Sequence, residues 1–295
     1  MIAEVAFNIP LDRSFHYLIP SAMQASLKPG MRVVAPFGPR RRVGCVVRLL
    51  EQSPIRQLKP LRRLLDPSPT IEGERWELAG WLSRYYGCSL GEALAAMVPS
   101  ALRLRAPSAE GATRTEPESA TTPPTAYPPP TLSAHQQQAF EAIASSLQRR
   151  RSATLLLHGI TGSGKTELYL RAIDLVLRQG RSAICLVPEI ALTPQTIDRF
   201  RQRFGRRVEV WHSRLSARWR AQAWPRISRT PDCVVVGTRS AIFAPVATLG
   251  LIILDEEQET SYKQTDVPRY HAREVARARA APRRHGAVGQ RDPRH

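Results

Sequence analysis

Gly159-Ile160-Thr161-Gly162-Ser163-Gly164-Lys165-Thr166 decides the fold. It has the spacing of a phosphate-binding loop, and it stands between an apolar run, Ala153 to Leu157, and an amphipathic stretch that begins near Lys165. Strand, glycine-rich turn and helix in that order give the loop its function, because the glycines let successive backbone N–H groups turn toward a phosphate at a helix N-terminus. Lys165 would add a positive charge at the β- and γ-phosphates of ATP, and the Thr166 hydroxyl would ligate Mg²⁺. The plain alternative is a glycine-rich strand-to-helix turn with no ligand, which the flanking pattern disfavours.

Downstream, the apolar runs Ala183 to Val187, Cys233 to Val236 and Leu251 to Leu254 alternate with amphipathic stretches beginning near Ala191 and Ala217. Such alternation predicts an α/β fold, a mostly parallel sheet with helices on both faces. The last run continues into Asp255-Glu256-Glu257-Gln258. Acids after an apolar strand are often only a solvated edge. Paired with the loop, they read as the metal-binding strand of a P-loop ATPase, with Asp255 on Mg²⁺ and Glu256 orienting or deprotonating the attacking water. Lys165, Asp255 and Glu256 are the expected catalytic set.

Upstream, from about Arg105 to Thr131, the chain turns to Pro, Ala, Thr, Ser and Glu with little to bury. It reads as a linker over 106–131 that leaves the domains on either side energetically independent. Before it, Glu4 to Asn8, Ser14 to Leu18, Arg32 to Pro36 and Arg42 to Leu50 alternate or run apolar between turn residues, which predicts a small β-barrel or curled sheet. From Gly73 the spacing of Trp76, Leu78, Ala79, Leu82, Tyr86, Leu90, Leu94 and Met97 becomes helical. A helical subdomain on a mainly-β domain, 1–105, followed by a nucleotide-binding lobe, 132–280, is the expected organisation.

The chain of 295 residues is 42% hydrophobic and 23% charged, with a formal charge of +18 carried mostly by arginine, a balance that favours nucleic acid as partner. Cys45, Cys88, Cys185 and Cys233 lack the close spacing of a zinc or redox motif. No apolar run approaches the roughly 20 residues of a membrane span, and Glu4 stands where a signal peptide would be basic, so a cytoplasmic protein is expected.

Further motifs narrow the class. Leu186-Val187-Pro188-Glu189-Ile190-Ala191-Leu192-Thr193-Pro194-Gln195, Val236-Gly237-Thr238-Arg239-Ser240-Ala241, Trp211-His212-Ser213, Ser261 to Gln264 and Arg269 to Arg273 closely resemble the PriA family of replication-restart DNA helicases. The resemblance covers residues 1 to about 280. It implies the first RecA-like lobe of a motor moving 3′ to 5′ on single-stranded DNA, with ATP and Mg²⁺ as cofactors. Gln136 would read adenine. Thr193, Gln195, Thr238 and Arg239 would touch the DNA backbone, and Tyr262, Lys263, Tyr270 and His271 would form an aromatic-rich loop coupling DNA to hydrolysis. Taken singly, each would pass for an ordinary loop or core residue.

Residues 1–105 resemble the family's domain for the 3′ end of a nascent strand, whose pocket would fall at Phe15, His16, Gly38 and Lys59. His16 departs from the acid expected there, and Gln258 from the family's histidine. The winged-helix domain that many relatives carry between DNA-binding domain and motor has no counterpart in the linker. By resemblance the partners are forks, single strands and 3′ ends of DNA, primosome proteins and single-stranded-DNA-binding protein, with no membrane. Two rival classes remain: a fork-binding recruitment module with an idle ATP site, and a metabolic P-loop kinase, which the DNA-contact motifs disfavour.

The second lobe, its arginine fingers, the Gly-Ser-Ala-Thr-Pro motif and the family's zinc-binding cysteines do not occur in this sequence, so no zinc site is expected. Residues 281–295 read as an aberrant tail. Gly289-Gln290-Arg291-Asp292-Pro293, shifted by one base, can encode the missing Gly-Ser-Ala-Thr followed by Pro. A frameshift near residue 280 is the expectation, against chance agreement in an Arg-rich tail.

Overall fold

A computed structural model of the protein describes residues 1–98, 130–149, 152–160 and 162–281. The expected tail from residue 282 onward and all of the linker up to residue 129 lie outside the described residues.

The amino-terminal strands are β1 (Ile2–Phe7), β2 (Phe15–Leu18), β3 (Arg32–Phe37), β4 (Arg40–Leu50) and β5 (Arg63–Leu64), in the order β2-β1-β4-β3-β5 with antiparallel pairing. The short helix α1 (Ser21–Gln24) follows β2. Val5, Phe7, Tyr17, Val33, Val46 and Leu61 fill the core of this unit. Buried Asp66 accepts hydrogen bonds from the guanidinium and backbone N–H of Arg32, the latter at 2.8 Å, so the buried charges are paired.

Two helices follow, α2 (Glu74–Tyr86) and α3 (Leu90–Met97). Glu74 and Glu77 sit in the first turn of α2 and Arg84 in its last, each favourable to the helix dipole, and Gly87 closes it at φ 61°. The α3 helix opens on a capping box, Ser89 with Glu92. The Ser89 hydroxyl also donates to the Ile9 carbonyl at 2.7 Å. At Gly91 a Cβ would stand 1.7 Å from the Phe7 carbonyl oxygen, so only glycine lets α3 lie against this backbone.

The second unit comprises α4 (Ala134–Gln148), α5 (Lys165–Arg178), β6 (Ser182–Leu186), α6 (Pro194–Phe204), β7 (Val208–Trp211), α7 (Ala217–Arg229), β8 (Val234–Gly237), β9 (Leu249–Leu254) and α8 (Ala272–Ala280). Its sheet is parallel, in the order β7-β8-β6-β9. Ile173, Leu177, Phe200 and Phe204 from α5 and α6 pack with Cys185, Val234 and Val236. A separate cluster joins Ile184, Leu186 and Val235 to Trp224, Ile227, Phe243 and Val275.

That second cluster also takes in Leu78, Leu82, Leu94 and Met97 of the amino-terminal helices. The two units therefore share apolar core. A buried ion pair reinforces it: Arg279, 2% exposed at its side chain, donates to Glu74 at 2.9 Å and to the Ala244 carbonyl at 3.2 Å. The expectation of energetically independent domains is corrected by this contact. Linker composition speaks for the segment between two units and says nothing of the surfaces they turn toward each other.

A second correction concerns the strand expected at Ala153 to Leu157. Residues 152–160 have no regular secondary structure, with Leu155 and Leu156 52% and 77% exposed. The sheet ends instead at β9, which pairs only with β6. Among the described residues no further strand lies beyond it. β9 is therefore the edge strand on that side, apolar from Leu249 to Leu254.

Candidate nucleotide and nucleic-acid sites

Gly162 and Gly164 take φ values of 82° and 84°, the left-handed conformation that a glycine enters without a Cβ clash. Gly164 is the N-cap of α5, so the turn delivers the helix's free N–H groups to the loop. The Lys165 Nζ donates to the carbonyls of Gly159 at 2.7 Å and Ile160 at 3.1 Å, folding back over its own loop. Thr166 is half-buried in the first turn of α5, while Thr161 lies outside the described residues. Ile160 is 81% exposed. The expected adenine reader, Gln136, sits beside this loop: its Nε2 donates to the Ser163 carbonyl at 2.9 Å and its Oε1 accepts from the Ser133 N–H at 2.9 Å, closing a capping box on α4.

Asp255 and Glu256 follow β9. The Asp255 N–H donates to the Leu186 carbonyl at 2.9 Å, and the Tyr169 hydroxyl donates to its Oδ1 at 3.2 Å. Burial pushes its carboxyl pKa up, the Tyr169 hydrogen bond opposes this, and the neighbouring Glu256 carboxylate adds to the rise. Lys165 is close enough to act on the same carboxylate in the lowering direction. Glu256 has φ 45°, the one non-glycine residue in the left-handed region among the described residues. The Gln258 amide donates to its carboxylate at 2.8 Å, and Arg273 pairs with Glu257 at 2.8 Å. Gln258 thus anchors the acid that follows Asp255. The free N–H groups at the start of α5 and the half-buried Asp255 carboxylate after β9 are the groups that would hold a nucleotide and its divalent cation.

The residues expected at DNA divide. Gln195 is exposed at the start of α6, and Thr193 caps that helix by accepting the Thr196 N–H at 3.2 Å. Arg239 donates to the carbonyls of Ser261 at 3.1 Å and Lys263 at 2.6 Å, and so braces the following loop. Thr238 is only 4% exposed.

Tyr262 and Tyr270, expected in the aromatic-rich loop that couples DNA to hydrolysis, are 1% and 4% exposed, so neither ring is open to a base. The Tyr262 hydroxyl donates to the carbonyls of Leu186 at 3.0 Å and Asp255 at 2.7 Å, which makes the ring a prop beneath the acid loop. Tyr270 meets Phe243 edge to face at 4.9 Å, and burial pushes its hydroxyl pKa up to about 12. Aromatic residues in a loop look alike in sequence whether they face solvent or core. Lys263 is exposed, with its ammonium 5.5 Å over the Tyr86 ring. His271 caps α8 through Nδ1, which accepts the Arg273 N–H, and the backbone N–H of His271 donates to the Tyr86 hydroxyl at 3.0 Å.

In the amino-terminal unit, Gly38 and Lys59 line one cleft of about 390 Å³ with Pro36, Pro39, Pro60, Arg40, Arg41 and Arg62. Its lining carries four cations and no acid, a setting for a phosphate. Phe15 lies outside this lining, packed 5.6 Å from Phe7 and 5.2 Å from Phe37 with Arg13 4.7 Å over its ring. His16 bonds the Ser53 hydroxyl at 2.7 Å through Nδ1 and also stands apart from the lining. Arg40, Arg41 and Arg62 escaped notice in the sequence, although Arg40-Arg41 directly follows the Gly38-Pro39 turn.

Comparison with known proteins accounts for both regions. Residues 4–99 match the 3′DNA-binding domain (3′BD) of PriA, and residues 133–285 match the DEAD/DEAH box helicase family. The replication restart protein PriA of Treponema pallidum is 42% identical over 288 residues, which take in 94% of this chain and 42% of the relative. The same protein of Bacillus subtilis is 32% identical, covering 94% of this chain and 51% of the relative, and that of Haemophilus influenzae is 33% identical, covering 93% and 47%. The chain spans about half or less of the length of these relatives. The Bacillus alignment runs over 413 positions, well beyond the 295 residues here, so that relative carries insertions. Among the described residues no helix is long and apolar enough to cross a membrane. The match over more than half of the chain and these relatives agree, and the chain belongs to the DEAD/DEAH box helicases, in the PriA replication-restart family, where it corresponds to the amino-terminal portion.

Proposed function

We propose that these residues recognise a 3′-ended DNA fork and bind ATP as part of a 3′ to 5′ restart helicase. The observation that carries this reading is one chain holding both a cationic cleft in a 3′DNA-binding match and a phosphate loop beside Asp255 in a helicase match. Lys165 and the loop N–H groups would hold the phosphates, and Thr166 with Asp255 would hold Mg²⁺, which supplies charge neutralisation at the transferring phosphoryl group. Glu256, held by Gln258, would orient water. Gly38, Lys59, Arg40, Arg41 and Arg62 would take the terminal phosphates and let the 3′ end approach closely. Association with primosome proteins and single-stranded-DNA-binding protein is proposed on family membership alone.

The polypeptide of residues 1–295 alone should bind forks and turn ATP over near background. Transition-state charge on the γ-phosphate also needs an arginine finger, worth about 10³ to 10⁵ in rate, and translocation needs two lobes that close on each other. DNA-stimulated phosphate release and strand displacement on a fork test this, and robust unwinding by residues 1–295 would overturn it. The fold-back of Lys165 onto its own loop favours a second reading, fork-binding recruitment with an idle ATP site. Absence of any fluorescent-nucleotide binding would select that reading.

A further inference from the structure

The acid loop and the helix of the phosphate loop meet through a side chain that neither motif contains. Tyr169 lies on α5, one turn past Thr166 on the same side of the helix, and its hydroxyl donates to the Asp255 Oδ1 at 3.2 Å. The Asp255 backbone is fixed separately: its N–H donates to the Leu186 carbonyl at 2.9 Å, and its carbonyl accepts from the Tyr262 hydroxyl at 2.7 Å. With the main chain held, the freedom left to the carboxyl group is rotation about its own side-chain bonds, and the Tyr169 hydroxyl is placed to limit it. The Tyr169 ring packs on the cluster that contains Ile173, Leu177 and Cys185, an apolar contact that phenylalanine would make equally well. The hydroxyl is therefore separable from the packing.

A hydrogen bond from a neutral hydroxyl orients a carboxylate without cancelling its charge. An arginine or lysine in that place would neutralise Asp255 and compete with a bound cation. The Glu256 backbone N–H, neutral as well, meets the same carboxylate. Lys165, whose charge also acts on it, has its ammonium bonded to the Gly159 and Ile160 carbonyls. Side chains that bind a metal are commonly steered in this way, by partners that touch the ligand and not the ion. We propose that Tyr169 is a positioning residue for Mg²⁺, its hydroxyl holding the Asp255 carboxylate in the orientation that takes the cation shared with Thr166. Because α5 begins in the phosphate loop, one helix then carries both the hydroxyl that would bind the cation and the hydroxyl that aims the carboxylate. The inference rests on the nucleotide-binding reading above and deepens it by naming a residue outside both motifs that acts through Asp255.

The test uses the 295-residue chain and mant-ATP, a fluorescent ATP analogue, titrated once in excess Mg²⁺ and once in EDTA, with the ratio of the two affinities as the measure of metal coupling. Loss of a partner that steers a metal-binding side chain lowers metal affinity roughly 10- to 100-fold. Tyr169→Phe should therefore shrink the ratio about tenfold while leaving the EDTA affinity and the fold intact. Lys165→Ala supplies the contrast, since it should lower both affinities. A Tyr169→Phe ratio equal to the parent's overturns the inference. An equal loss with and without metal, or a Tyr169→Phe chain that does not fold, would make the hydroxyl a structural group and overturn it as well. A parent chain whose mant-ATP affinity ignores Mg²⁺ removes the role from Tyr169 and leaves the phosphate-binding reading standing. A parent that binds no mant-ATP in either condition overturns both.

Discussion

The two halves of the nucleotide site are built in opposite ways. The phosphate half, 152–160 and 162–165, is mostly exposed, lacks strand pairing and keeps its lysine on its own carbonyls. The acid half is held from several sides: Tyr262 bonds two carbonyls from below, Tyr169 bonds Asp255, Gln258 bonds Glu256 and Arg273 bonds Glu257. The contrast separates what must move from what must stay. A loop that admits a triphosphate has to open, whereas carboxylates that repel each other stay together only if their surroundings fix them.

Substitution should therefore be expensive in stability on one side and nearly silent on the other. The largest effect is expected for Tyr262→Ala, which leaves a cavity and takes the Tyr262 hydroxyl from the Asp255 carbonyl; about 3–5 kcal/mol should be lost in urea unfolding. A loss under 1 kcal/mol would show that the acid half is not propped by this ring. Arg279→Ala, which strands Glu74 at the shared core, should lose about 3 kcal/mol, toward the low side of the buried-pair range because Glu74 keeps some contact with water. If the loss matches that of an exposed arginine such as Arg178, the units are less firmly joined than their contacts imply. Lys165→Ala should abolish nucleotide binding and leave both the unfolding midpoint and fork binding nearly unchanged. A destabilised variant would place Lys165 in the framework. Smallest of all, Leu156→Ser should stay within about 0.5 kcal/mol, as exposed substitutions do. A larger loss, or slow amide exchange over 153–157, would mean that the segment is paired in solution.

Much of this architecture was legible because it is periodic or punctuated. Uniformly apolar runs gave β6, β8 and β9, alternation and turns gave β1 to β4, and helical spacing gave α2 and α3. The phosphate loop was legible because only glycine tolerates its φ values. The run at 153–157 misled for the same reason that the others succeeded: apolar residues announce burial without naming the partner strand. Tyr262 and Tyr270 misled because burial is decided by contacts with Leu186 and Phe243, far away in sequence. The cleft's arginines come from β4 and from residues near β5, and only the pairing of β3 with both brings them together.

Glu256 illustrates how function and durability pull apart at one position. Its φ of 45° is a conformation that a glycine holds freely and a glutamate holds under strain of about 1–3 kcal/mol. Glu256→Gly should accordingly raise the melting temperature while removing the carboxylate that would handle water. A screen for thermostable variants of this chain would be drawn to that substitution, and would return a sturdier protein with an emptied reaction centre.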